Sequence, residues 1–249
     1  MSKKVIVLFS GGLDSTYLIW KNLKDGNIVK PLYFEIENNM DKSSIEKQQI
    51  NLLWNQFNIE FKDNIKPIEY TIKINIHLSG TNELTFVQVP IWLLGILFSI
   101  DRNYDEVQIA YVGNDDAISY LKEIKNIYKS YQEITNNLIP LKFPLRKNFK
   151  HDILNELPLN YRNLTFSCEN PKIISNINNN IIFEPCGCCE PCKKIIISNN
   201  FDFGLDEKYN NAKKEYINKE YNYINNIPSK YELMAVSKNP STQQLHIKF

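Results

Sequence analysis

A chain of 249 residues with 43% hydrophobic content can form one large domain with a smaller module, and it can bury a true core. Its 29 basic residues nearly balance its 28 acidic ones, which argues against a surface built to recruit nucleic acid or an anionic membrane. The longest apolar stretch, residues 91–100, is too short for a bilayer, which needs about 20 residues. No hydrophobic signal region precedes the first predicted strand, so we expect a cytoplasmic protein without nucleic-acid or membrane partners.

Apolar runs alternate with amphipathic ones over residues 1–160, which is typical of strand-helix-strand units and a parallel sheet. The predicted strands are 5–9, 28–36, 68–76, 107–112 and 141–145, of which the third alternates with polar residues and is expected to be peripheral. The predicted helices are 16–24, 45–57, 120–131 and 150–157, together with one that Pro90 opens because its fixed φ suits a first turn. The sequence thus predicts an α/β domain over 1–160, a cysteine-bearing subdomain over 161–200 and a C-terminal extension over 201–249.

A glycine-containing segment, Ser10-Gly11-Gly12-Leu13-Asp14-Ser15-Thr16, joins the first predicted strand to the first predicted helix. Its adjacent glycines allow a tight turn and a close approach of the backbone to a ligand. The free N–H groups and the dipole of the following helix favour an anion. An isolated Ser-Gly-Gly also fits an ordinary turn, but this one stands at the carboxyl edge of a strand, where open sheets bind ligands. We therefore assign all seven residues to a nucleotide site.

The same segment resembles the SGGxDS loop of the PP-loop ATP pyrophosphatases, and no Walker A pattern occurs in the chain. The resemblance implies that ATP is split into pyrophosphate and an AMP that is transferred to a substrate oxygen. We place Phe34 and Gly113, which lie near the ends of two further predicted strands, at the same cofactor-binding site.

Four of the five cysteines fall within residues 186–192, and Cys186, Cys189 and Cys192 are spaced as C-x2-C-x2-C. Because disulfides are disfavoured in the cytosol, such clustered thiolates indicate metal ligands. Cys168 can supply the fourth ligand of a closed tetrahedral zinc site. An iron–sulfur cluster and a redox-active pair are alternatives, although the context is unlike thioredoxin. Cys188 is then spare, but the choice between Cys186 and Cys188 stays open.

Two motifs together carry a further resemblance: the loop from Ser10 to Thr16, and Thr165-Phe166-Ser167-Cys168 with the downstream cysteines. Over residues 3–195 the chain resembles the 7-cyano-7-deazaguanine synthase family. The insert between Cys168 and Cys186 is longer than in that family. The resemblance implies a Rossmann-like parallel sheet of the adenine-nucleotide hydrolase type and a C-terminal zinc-binding subdomain. It further implies ATP, Mg²⁺ and Zn²⁺ as cofactors, and two ATP-dependent steps that convert 7-carboxy-7-deazaguanine and ammonia through the amide to the nitrile.

Individual roles also follow from the resemblance. Asp14 is expected to approach Mg²⁺ or its waters, and Lys150 to reach the α-phosphate as a second catalytic residue, although a lysine there could equally be a solvated helix residue. Asp115 and Asp116 are candidates for pairing with the purine-like N–H edge of the substrate. Two segments depart from the family pattern, residues 88–92 and 114–120, so the pocket around the base is expected to differ.

Other functions therefore stay open. A divergent relative could join the activated carboxylate to an amine of another molecule, such as a polypeptide, and stop at the amide. A non-catalytic nucleotide-binding module is a further alternative, which the intact loop disfavours. tRNA thiolation or lysidine synthesis would require a basic surface or catalytic cysteines near the loop, and neither is evident in the sequence. The expected partners are a small deazaguanine and ammonia, with a protein acceptor in the alternative and a homodimer as a candidate assembly.

Overall fold

The computed structural model describes residues 2–37, 42–70, 74–75, 84–99, 103–113, 115–148, 150–177, 180–189 and 191–195. Its helices are α1 (Leu13–Lys24), α2 (Ser43–Glu60), α3 (Leu84–Ser99), α4 (Leu121–Thr135), α5 (Lys150–Glu156) and α6 (Leu159–Arg162). Its strands are β1 (Lys4–Leu8), β2 (Ile28–Tyr33), β3 (Ile36–Glu37), β4 (Glu69–Tyr70), β5 (Ile74–Asn75), β6 (Glu106–Gln108), β7 (Leu141–Lys142), β8 (Lys172–Ile177) and β9 (Asn180–Glu184). The predicted extension over 201–249 lies outside the described residues.

A five-stranded parallel sheet, in the spatial order β4-β2-β1-β6-β7, forms the centre of the fold. The middle of β1 is buried, as expected for a parallel strand covered by helices on both faces. The strand order reverses between β1 and β6, so a crevice opens beyond their carboxyl ends, and open α/β sheets bind ligands at such a reversal. The predicted Rossmann-like α/β class is confirmed, and the strand expected to be peripheral contributes β4 at the sheet edge.

Two hydrophobic cores flank this sheet. One packs α1, α2 and α5 against the first face, and its buried residues include Phe9, Tyr17 and Phe57. The other packs α3 and α4 against the second face, around Phe34 and Leu93. Within the described ranges, no helix combines the length and the apolar composition that crossing a bilayer requires.

A third, smaller core joins the cysteine-bearing region to α2. Ile45 of α2 packs with Phe166 and Ile181, and Phe166 meets the ring of Phe183 edge-on at 5.0 Å between centroids. The Gln48 side chain also donates to the Ile181 carbonyl (3.0 Å) and accepts from the Ile181 amide (2.7 Å). The antiparallel β8–β9 hairpin is thereby fixed to the helix that flanks the first strand-to-helix loop.

Several predicted boundaries are wrong for identifiable reasons. Pro90 lies inside α3 rather than at its start, because the burial of Val89 and Leu93 outweighs the backbone hydrogen bond that proline removes. α1 begins at Leu13, three residues before the predicted start, since Gly12 is extended and already caps the helix. The predicted strand 107–112 pairs only as far as Gln108, and its remainder leaves the ladder to border the crevice.

Candidate nucleotide site and four-cysteine centre

A cleft of about 300 Å³ lies at the carboxyl ends of the central strands. Four residues of the glycine-containing loop line it, namely Ser10, Gly12, Asp14 and Ser15. The opposite walls come from six other segments of the chain, and the residues include Leu32, Tyr33, Phe34, Lys42, Glu46, Trp92, Tyr111, Asp115, Lys150, Phe166, Ser167, Cys168 and Glu169. The cleft thus connects the predicted nucleotide loop with the edge of the cysteine centre.

The two glycines of the loop have different roles in its geometry. Gly11 has a φ of +72°, a left-handed conformation that side chains disfavour, and a Cβ there would meet Cγ1 of Ile50 at 3.1 Å. Gly12 is the extended N-cap of α1, and its carbonyl accepts the first helical bond from the Thr16 amide at 3.0 Å. The backbone at Gly12 is therefore open to a ligand in the cleft, beside the side chains of Ser10, Asp14 and Ser15.

Hydroxyl groups gather at the start of α1. The Oγ atoms of Ser10 and Ser15 are 3.4 Å apart, and Ser15 donates to the Gly12 carbonyl at 3.2 Å. Thr16 is fully buried, and its Oγ1 has no hydrogen-bond partner among the described residues. Leu13 contributes its backbone only, because its side chain belongs to the first core. Thr16 does not line the cleft, however, so this oxygen is a buried unpaired group and not a contact that the cleft offers to a ligand.

Lys150 and Asp14 form an ion pair in the cleft. Lys150 is only 5% exposed at the first turn of α5, so it is not a solvated helix lysine. Its Nζ contacts Oδ2 of Asp14, whereas Oδ1 of Asp14 is buried with no partner in the described part of the chain. The sequence-predicted catalytic pair is thus brought together, and it leaves one carboxylate oxygen available to a ligand.

Asp115 lies beside this pair in the cleft wall. Its Oδ2 accepts the Val112 amide at 2.9 Å, which fixes the carboxylate. Burial, together with the nearby charge of Asp14, raises the pKa of Asp115, while Lys150 opposes the shift. Asp116 begins a 3₁₀ turn (Asp116–Tyr120), but its side chain lies outside the described part of the structure.

Phe34 and Gly113 have different positions relative to the cleft. Phe34 lines it and packs against α3 at Gly95, where a Cβ would come within 2.3 Å of the ring. Gly113 is buried and donates to the Asn148 carbonyl at 3.2 Å, without lining the cleft. Of these two sequence-predicted residues, only Phe34 is placed to touch a ligand there.

A charged group that sequence reasoning missed borders the same cleft. Lys42, at the N-terminus of α2, contacts Glu169 and lies 3.8 Å from Oε1 of Glu46. Tyr33 donates to the other Glu46 oxygen at 2.9 Å. Burial raises the pKa of Glu46, and the Lys42 charge opposes that shift. The i,i+4 spacing of Lys42 and Glu46 is visible in the sequence, but their contacts with Tyr33 and Glu169 are not, because two other segments supply those residues.

The four predicted metal ligands converge. The Sγ atoms of Cys168, Cys186, Cys189 and Cys192 all lie within 4.8 Å of one another, whereas Cys188 is exposed and outside the group. Four sulfurs placed tetrahedrally at about 2.3 Å from one ion would be about 3.8 Å apart, close to the 3.9 Å between the Sγ atoms of Cys168 and Cys189. The spacing therefore fits a single ion, and it selects Cys186 over Cys188.

Backbone amides support the thiolates of this centre. Cys186 N donates to Cys168 Sγ at 3.2 Å, and Cys189 N donates to Cys186 Sγ at 3.3 Å. The Glu169 amide donates to Cys189 Sγ at 3.4 Å. Donation from the amides of Cys188 and Cys189 lowers the pKa of Cys186 to about 6, which favours the thiolate that binds metal. Burial raises the pKa of Cys168 and of Cys192, so the case for a metal ion at this centre rests on the positions of the four sulfurs.

Comparison with known proteins finds only distant structural similarity. No family model and no curated protein matches the chain. Among solved structures it is similar to the U34-tRNA thiolase NcsA from Methanococcus maripaludis with its [4Fe-4S] cluster, at 13% identity and a TM-score of 0.46, over 90% of this chain and 70% of that chain. It is also similar to NMN synthetase from Francisella tularensis, at 14% identity and a TM-score of 0.34, over 89% and 84% of the two chains. TM-scores this low do not establish a shared activity, so the assignment rests on the geometry of the site.

Proposed function

We propose that this chain is a PP-loop ATP-dependent carbon–nitrogen ligase that activates a carboxylate as an acyl adenylate. The observation that carries the proposal is the ion pair between buried Lys150 and Asp14, a residue of the loop from Ser10 to Thr16. A cation held beside a helix N-terminus stabilises the charge that develops on a reacting phosphate, and such fixed charges are often the largest catalytic contribution. The position of the loop, at the strand-order reversal, supports the same conclusion.

In the proposed step, a carboxylate oxygen of the substrate attacks the α-phosphorus of ATP. The bond from that phosphorus to the pyrophosphate oxygen breaks, and pyrophosphate leaves. Loop amides and the Ser10 and Ser15 hydroxyls would hold the β- and γ-phosphates, and Lys150 would neutralise the α-phosphate. The unpaired Oδ1 of Asp14 is the kind of hard oxygen ligand that Mg²⁺ prefers, and a bound Mg²⁺ would supply further charge neutralisation.

The acid that we propose is 7-carboxy-7-deazaguanine. Ammonia would displace AMP to give the amide. The amide oxygen would then attack the α-phosphorus of a second ATP with loss of pyrophosphate, and the departure of AMP with that oxygen, together with loss of the nitrogen's protons, would leave 7-cyano-7-deazaguanine. This choice is supported by the joint occurrence of the loop and the cysteine pattern in one chain. Asp115 would accept an N–H of the base from the cleft wall, and Asp116 is retained as a second base-binding candidate from the sequence.

A second candidate is a ligase that transfers the activated carboxylate to an amine of a polypeptide and stops at the amide. It is favoured by one observation: Trp92 and Asp115 line the cleft, and both belong to segments that depart from the family pattern. Because binding energy must be directed at the transition state of each step, a pocket altered there could support one activation and not the next.

For the cysteine centre we propose one structural zinc held by Cys168, Cys186, Cys189 and Cys192. The compact sulfur group supports a single ion, since a four-iron cluster places each cysteine on its own iron and so needs more widely separated sulfurs. A closed four-thiolate site has no open position for substrate, so its contribution is to folding.

The test is product analysis by mass spectrometry after incubation with ATP, Mg²⁺, 7-carboxy-7-deazaguanine and ammonium. We expect AMP, pyrophosphate and the nitrile. Amide that accumulates, or AMP that forms only with an added polypeptide, would favour the second candidate. A wild-type protein that binds ATP and releases no pyrophosphate with the acid would contradict both ligase proposals and favour the non-catalytic module.

A further inference from the structure

We propose that Ser167 is a nucleotide-binding residue delivered to the phosphate loop by the four-cysteine centre, so that metal and nucleotide strengthen each other's binding. The inference rests on the proposed nucleotide site but requires neither the adenylation reaction nor the identity of the acid. It concerns three consecutive residues, Phe166, Ser167 and Cys168, which all line the cleft.

The first two of these residues are bonded directly to the loop. The Phe166 amide donates to the Gly11 carbonyl at 2.9 Å. Ser167 Oγ accepts the Leu13 amide at 3.2 Å and lies 3.4 Å from where a Cβ of Gly12 would stand. The loop therefore has its conformation set from outside, by a segment more than 150 residues away in the chain.

Ser167 does for α1 what an N-cap side chain normally does. The first amides of a helix lack intrahelical partners, and Gly12 at the N-cap position has no side chain to satisfy them. Ser167 supplies the missing oxygen from the other side of the cleft. A hydroxyl that accepts one bond still carries its own proton, so Ser167 can donate to a phosphate oxygen bound at the helix start.

The third residue belongs to the metal centre. Cys168 is 3% exposed, and its Sγ lies in the four-sulfur group. Consecutive Cα atoms are about 3.8 Å apart, so an ion that fixes Cys168 also restricts Ser167. The next residue, Glu169, is paired with Lys42 on α2, and Ile50 of the same helix backs Gly11. The centre is thus linked to the loop on two sides.

Coupling of this kind is reciprocal. If metal at the cysteines raises nucleotide affinity by some factor, then nucleotide must raise metal affinity by the same factor. Protection of the metal by nucleotide is therefore a readout that a purely structural centre, independent of the loop, would not give.

The experiment uses the full chain with zinc bound, Mg²⁺ and the non-hydrolysable α,β-methylene analogue of ATP. Two quantities are measured: the dissociation constant of the analogue, and the rate of zinc loss to an excess of a coloured chelator. For the wild type we expect the analogue to slow zinc loss by about fivefold or more, the lower end of typical coupling. Ser167→Ala should keep its full zinc content, bind the analogue at least about fivefold more weakly and lose the protection. Ser175→Ala on β8 is the matched control and should behave as the wild type.

Three outcomes would overturn the inference. Ser167→Ala could bind the analogue and protect its zinc as well as the wild type does. The wild type could bind the analogue without any change in zinc loss, which would leave the proposed function standing. If the wild type does not bind the analogue at all, the nucleotide site itself is wrong, and the proposed function fails with it.

Discussion

Substituting Gly11 by alanine tests whether the left-handed turn of the loop is needed for nucleotide binding. A non-glycine residue in this conformation costs about 1–2 kcal/mol. The new Cβ would also stand 3.1 Å from Cγ1 of Ile50, a contact that a small shift of that side chain relieves. We therefore expect Gly11→Ala to lower the stability by about 1–2 kcal/mol, which in a chain of this size is a fall in Tm of about 2–8 °C.

The same strain should appear in binding. If the loop of the alanine variant relaxes, the Gly11 carbonyl turns away from the Phe166 amide, and part of the binding free energy of ATP is used to restore the turn. A strain of about 1–2 kcal/mol corresponds to about 5- to 30-fold weaker ATP binding. The assay is titration calorimetry with ATP and Mg²⁺, together with a thermal melt.

Gly26 provides the matched control for this substitution. Its φ is +78°, close to that of Gly11, and a Cβ there would meet nothing within 4 Å. Gly26→Ala should therefore lose similar stability and keep its ATP affinity. The reasoning is refuted if Gly11→Ala binds ATP like the wild type, or if both variants weaken binding equally.

Three further outcomes are expected. Lys150→Met should lower the rate of pyrophosphate release by about 100-fold or more, the usual loss on removing a group that stabilises transition-state charge. Lys147 is exposed, so Lys147→Met should leave the rate unchanged. A Lys150→Met rate within about tenfold of the wild type would contradict the role assigned to Lys150. Elemental analysis should find about one zinc per chain, retained in Cys188→Ser and lost in Cys189→Ser; loss in Cys188→Ser, or iron in place of zinc, would contradict the proposed ligand set. Gly95→Ala should displace the Phe34 ring in the cleft wall by more than 1 Å, because the new Cβ would stand that much closer to the ring than a normal carbon–carbon contact allows. We expect weaker ATP binding without loss of zinc. Unchanged ATP affinity would show that the nucleotide does not contact that ring.

Local signals carried most of what the sequence predicted correctly. The loop from Ser10 to Thr16 is contiguous, so its residue order alone indicates strand, turn and helix start. The cysteine cluster could also be predicted from a local pattern, because two-residue spacings confine the thiolates to a small volume whatever the surrounding fold. The choice of Cys186 over Cys188 needed coordinates, since a one-residue difference in a turn decides which sulfur points inward.

Features that depend on several distant segments were not predictable. Lys42 and Glu46 are four residues apart on one helix, but Glu169 reaches Lys42 only because α2 packs between the sheet and the cysteine region. Pro90 was misassigned because a local rule about helix starts ignores the burial that tertiary packing adds to α3. Gly113 was placed by its position after a strand, yet the chain turns there to bond with Asn148 instead of facing the cleft.

The burial of the Lys150 ammonium explains why it is paired with a carboxylate in the cleft. An ammonium buried without a counter-charge is strongly unfavourable, and in the cleft Asp14 pairs directly with Lys150 while the Asp115 carboxylate lies beside the pair. The two partners are not equivalent, because the Lys150 side chain is 6% exposed and that of Asp14 is 21% exposed. Removing Asp14 would strand the more buried charge, and breaking such a pair costs about 3–5 kcal/mol. Lys150→Met leaves the better solvated partner, so a loss of turnover in that variant reports on chemistry more directly than the same loss in Asp14→Asn.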